Sequence, residues 1–162
     1  MKKTIVSMVW AASLLLPVSL FADSMAGMNM SSALLAANTI TVSQGYVRDV
    51  PPGTHNTAMF LMLTNTGKME QNLIAVVSPI SNQTQLHKTI IEKGVSEYSM
   101  ASMRQVNDIV LPAGKTVAFQ PGSYHIMVMD LTGNLTVGQQ VPVWLIFADG
   151  SHKEIMLPVV KK

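Results

Sequence analysis

The chain has 162 residues, thirteen methionines, no cysteine, and eleven Lys and Arg against nine Asp and Glu, a formal net charge of +2. Without a thiolate it can form no disulfide, no Cys-ligated zinc site and no blue-copper centre. The small basic excess is not clustered, so nucleic acid is not an expected partner.

Lys2 and Lys3 precede an apolar run from Ile5 to Phe21, and Ala22 then meets Asp23. A basic start, an apolar middle and a small residue before the first acid predict a secretory signal peptide over residues 1–22, removed on export. The run is just long enough for the alternative, an uncleaved membrane anchor. The Met-Lys-Lys start and compact signal look bacterial, which places the mature protein in the periplasm or outside the cell. The signal holds two of the basic residues and none of the acids, so the mature chain is formally neutral. About 140 residues remain, enough for one domain with its own core. No second run is long enough to span a bilayer, so stable membrane insertion after cleavage is not expected, and a monomer is.

Residues 23–38 are small and polar around Met25, Met28 and Met30, the composition of a flexible leader whose thioethers could catch Cu(I) weakly. From residue 39 to 162 the chain reads as strands and turns. "TITVSQGYVRDV" alternates and is broken by Pro51-Pro52-Gly53; "TAMFLMLTN" ends at Asn65-Thr66-Gly67; "QNLIAVVSP" and "TQLHKTIIE" follow. "VSEYSMASMRQV" alternates irregularly, which predicts a loop or bulge around Met100 and Met103. "DIVLP", "KTVAFQ", "SYHIMVMD", "QVPVWLIFA" and "KEIMLPVV" complete the set. Turn chemistry roughly every ten residues and no amphipathic helix predict an all-β domain, a single antiparallel β-sandwich.

The chemistry concentrates in the strand after Pro121-Gly122. Alternation puts His125, Met127 and Met129 on one face and Tyr124, Ile126 and Val128 on the other. An imidazole and a thioether one pleat repeat apart, roughly 6.5–7 Å between Cα atoms, can converge on one ion. Thioether sulfur is a soft donor that suits Cu(I) and binds hard cations poorly. Zinc sites draw on thiolate, imidazole and carboxylate, and calcium sites need clustered acidic oxygens, so neither is favoured. His87 lies within a predicted strand. His55 and His152 sit beside turns and read as solvated. No paired carboxylates, nucleophile elbow or phosphate-binding glycine loop is present, and an enzyme is not expected.

His87, "MRQV" from Met103, "LPAGKTVAFQPGSYHIMVMDL" and the closing "VPVWLIFADGSHKEIMLPV" resemble the PCuAC family of periplasmic copper chaperones. That family's signature is a His, a downstream Met, twenty-one residues, then His-x-Met, and twenty-one residues separate Met103 from His125-Ile126-Met127 here. The His87 to Met103 interval is several residues longer than the family's, which an extended hairpin around "KGVSEYSMA" absorbs and which makes Met100 a rival to Met103. The resemblance implies a cupredoxin-like Greek-key sandwich holding Cu(I) through His87, Met103, His125 and Met127. It also implies copper delivery to an oxidase subunit, alongside a thioredoxin-like copper protein. Copper sequestration or resistance, and a metal-free interaction module with core methionines, are the alternatives.

Overall fold

The computed structural model describes residues 35–93 and 99–162; the expected signal peptide and most of the leader, with Met25, Met28 and Met30, lie outside them. Each predicted strand is present, and the segment expected to form a loop or bulge around Met100 and Met103 is a strand as well. The strands are β1 (Ile40–Arg48), β2 (Thr57–Asn65), β3 (Gln71–Val77), β4 (Ser81–Lys93), β5 (Ser99–Gln105), β6 (Ile109–Leu111), β7 (Thr116–Phe119), β8 (Tyr124–Leu131), β9 (Gln140–Phe147) and β10 (His152–Val160). Hydrogen bonds join them in the order β5-β4-β8-β7-β2-β1-β10-β9-β3-β6. The sheet is open, and it turns over at the short β1–β10 junction to give two layers, β5-β4-β8-β7-β2-β1 and β10-β9-β3-β6. That junction is parallel (Val47 opposite Val159), as is the single β7–β8 pair, whereas every other pairing among the strands is antiparallel.

Alternating side chains fill the space between the layers. Met59, Leu61 and Leu63 of β2, Ile126 and Val128 of β8, and Val141, Val143, Leu145 and Phe147 of β9 are buried in one cluster. A period of two is what a sheet with one covered face imposes. β1 bulges between Ser43 and Tyr46. Gly45 lies in this bulge, where a Cβ would stand 2.4 Å from Leu157 Cδ2 and force that side chain to shift.

Polar groups pin the ends of elements. Asn65, fully buried, donates from Nδ2 to the carbonyls of Met69 and Leu111, both at 2.8 Å, and its Oδ1 accepts the Gly67 N–H at 2.9 Å. It thereby ties the end of β2 to the following turn and to β6. Of Leu35–Asn38, read from sequence as the end of the leader, Leu35 and Ala37 are half-buried and Asn38 is exposed. Ala36–Thr39 form one helical turn, α1, with Ala36 fully buried. The free N–H groups of this turn are capped from far along the chain: Ala36 N donates to the Asp149 carboxylate (2.7 Å) and Ala37 N to Ser151 Oγ (3.0 Å).

Candidate metal centre

Ile126 and Val128 point into the core without exposure, so His125 and Met127 project from the opposite face of their layer. The register carries this phase across the neighbouring strands. His87 of β4 lies opposite His125, and Gln85 opposite Met127. On β5, Gln105 lies opposite His87 and Met103 opposite Thr89. Residues directly opposed in an antiparallel pair share a face. The four sequence-predicted residues therefore stand on the same outer surface of three adjacent strands.

That surface is not simply solvated. His125 is only 4% exposed although it faces away from the core. Phe60 of β2 is buried outside the core cluster, its ring centroid 5.2 Å from Tyr46 and 6.4 Å from His125. A cleft of about 460 Å³ opens here, walled by Phe60, Thr89, Met103, Pro121, His125, Met127 and residues 48–51. His87 stands next to this wall, its ring centroid 5.6 Å from that of His125.

The hydrogen bonding of the two imidazoles is incomplete. His87 Nε2 lies 2.9 Å from Gln85 Oε1, and His125 Nδ1 lies 3.3 Å from the Ser123 carbonyl oxygen. The other nitrogen of each ring, Nδ1 of His87 and Nε2 of His125, is buried without a partner. Buried polar atoms are satisfied as a rule, and two unsatisfied ones on adjoining rings mark a place for a ligand. Burial holds the His87 pKa below its usual 6.5, and the facing His125 lowers it further. His87 is therefore neutral at neutral pH, the form in which imidazole ligates metals.

Met103 is 64% exposed at the edge of the cleft. Sequence predicted a loop or bulge around it and Met100; both lie in β5, in unbroken register with β4. Met100 is paired with Glu92, three steps from the Thr89–Met103 pair and so in the opposite phase of the backbone pleat. Met129, opposite Gln83, lies farther along β8 than the cleft. His55 and His152 are exposed, and neither lines the cleft. Among the described residues, no three His, Asp or Glu side chains are grouped to hold an ion, so the donor set on offer is two imidazoles and two thioethers. Sequence reading missed Gln85, the Ser123 carbonyl and Phe60. Gln85 and Ser123 each lie two residues before a site histidine, the spacing that shares a strand face, and this was the signal available.

The model for LpqE-like lipoproteins matches residues 40–159. Lxx21020 of Leifsonia xyli subsp. xyli, named as a lipoprotein, is 32% identical over 123 residues, 76% of this chain and 70% of that protein. RP573 of Rickettsia prowazekii is 30% identical over 105 residues, 64% of this chain and 55% of that protein. Among solved structures, the copper-bound PCuAC domain of PmoF2 superposes with a TM-score of 0.63 at 19% identity, covering 79% of this chain and 97% of that domain. The Cu(I) form of DR1885 from Deinococcus radiodurans gives 0.60 at 26% identity, covering 85% and 87%. With a family match across nearly the whole sandwich and PCuAC domains as its structural neighbours, the chain belongs to the LpqE-like family, the family of PCuAC domains.

Proposed function

We propose that this protein is an exported, periplasmic Cu(I) metallochaperone that binds its cargo through His87, Met103, His125 and Met127. The observation that carries this reading is the pair of adjoining imidazoles, each with a buried unpartnered nitrogen, beside a cleft that holds both thioethers. Two neutral imidazoles and two thioethers add no charge, so the bound ion keeps its single positive charge. Such soft, neutral donors favour Cu(I) over Cu(II). The copper carried by PmoF2 and DR1885 supports the same choice of ion.

Export is supported by the basic-apolar start of the chain and by the lipoprotein name of a relative. This sequence contains no cysteine to carry a lipid, which favours a soluble mature form. Among the described residues no helix is long and apolar enough to cross a membrane. The acceptor is a copper-accepting oxidase subunit, or a thioredoxin-like copper protein on the way to it. A site open on one side and built from exchangeable donors suits transfer better than burial of the ion.

The test is titration of the mature protein with Cu(I) against a competing chelator. One Cu(I) per chain with sub-micromolar affinity is expected, and absence of such a site would leave a metal-free interaction module. Transfer of the bound ion to a copper-depleted oxidase subunit then separates delivery from sequestration.

A further inference from the structure

We propose that Gln85 is a positioning residue: it fixes His87 in the Nε2–H tautomer, so that the ion is taken by Nδ1 of His87 and by Nε2 of His125. The choice of coordinating nitrogens rests on the Cu(I) reading above; the hold on the tautomer does not.

A neutral imidazole carries one proton and therefore offers one donor and one acceptor. The Gln85 Oε1 that meets His87 Nε2 at 2.9 Å is an acceptor only, so the proton sits on Nε2. Turning the amide round would move the proton to Nδ1, where it would be buried with no acceptor. For His125 no such choice exists, because its Nδ1 faces a backbone carbonyl and must donate. The two rings thus present unlike nitrogens, the one near the backbone on His87 and the distal one on His125. Gln85 is well placed for this task. It shares the strand face of His87, two residues away, and lies opposite Met127. A partner on the far nitrogen of a ligating histidine fixes the ring's orientation and raises its basicity, and losing one typically costs roughly 10–100-fold in metal affinity.

Long-range proton–nitrogen NMR of the metal-free chain reads both tautomers directly. Wild type is expected to show Nε2–H on His87 and Nδ1–H on His125, and added Cu(I) should move the resonances of His87 Nδ1 and His125 Nε2. Gln85→Leu should give a tautomer mixture at His87 and a Cu(I) affinity lower by roughly 10–100-fold. Gln85→Glu keeps the acceptor and should keep the single tautomer, which tests the assignment even where the leucine variant disturbs the strand. A proton on His87 Nδ1 in wild type, an unmixed tautomer in folded Gln85→Leu, a mixture in Gln85→Glu, or a copper shift at His87 Nε2 overturns the proposal. Should wild type bind no Cu(I), the chaperone reading fails alone, since the locked tautomer and its release in Gln85→Leu are read without metal.

Discussion

Met103 and Met100 differ by three residues and by little else in sequence, yet the β4–β5 register separates them. Met103 reaches the cleft, and leucine would keep its volume while removing its sulfur. Met103→Leu is expected to weaken Cu(I) binding at least tenfold, about 1.4 kcal/mol, and Met100→Leu much less, both read by chelator competition. The reverse ranking would move the ligand to Met100. His87 supplies the pH response. Its pKa is lower in the folded chain than the ordinary 6.5, so below that value the unfolded chain binds more protons. Stability of the metal-free protein is therefore complete above about pH 6.5 and declines as pH falls below it. The same proton competes with copper, so Cu(I) affinity should begin to fall only as pH drops below about 6.5. A flat profile would remove imidazole from the ligand set. At this scale the shared face of His125 and Met127 was legible, because strand alternation is local. His87 was not legible as their neighbour from pattern alone: its place opposite His125 is fixed by a pairing between distant strands, and only the family spacing pointed to it.

The ten strands were legible because turn residues punctuate them and their apolar positions recur with a period of two. β5 was the exception. Its irregular alternation suggested a loop, but hydrogen bonding to β4 continues through it, since an edge strand exposed at Ala101 and Met103–Gln105 is under little pressure to alternate. The turn before β1 was not legible either. Leu35–Asn38 carry small residues that look like leader, and nothing near them in sequence announces caps supplied by Asp149 and Ser151, more than a hundred residues later. Burial alone would raise the Asp149 pKa; hydrogen bonds from the Ser151 hydroxyl and from the Ala36 and Ser151 N–H groups outweigh it and bring it below 3.8. Asn65 is the clearest element-level test. Asn65→Ala removes three hydrogen bonds and strands the buried Leu111 carbonyl, so a loss of about 2–4 kcal/mol is expected in urea unfolding. A change under ~0.5 kcal/mol, the size of an ordinary surface substitution, would show that water replaces the amide.

Over the whole molecule, the sheet's two faces divide the labour. The inner face holds the fold together and the outer face of β4, β5 and β8 holds the candidate site. Leu145→Ala, in the core of β9, should therefore cost about 2–5 kcal/mol of stability and leave Cu(I) affinity unchanged where the protein remains folded. A parallel loss of affinity would mean that core packing and site geometry are coupled. The sandwich was predictable from strand count and turns, but the order of its strands, with parallel contacts at β1–β10 and β7–β8, depends on long-range pairings that no local pattern encodes. That order sets one more property. β5 ends the hydrogen-bonded sequence and pairs with β4 alone among the described strands, whereas β4 and β8 are each held from both sides. Edge backbone opens at lower cost than interior backbone. The four donors are thus mounted on supports of unequal stiffness, and an ion held by all of them would leave in a fixed sequence. In the proposed site the Met103 sulfur, on the edge strand, would let go first, and an incoming donor would fill its place before the two imidazoles release.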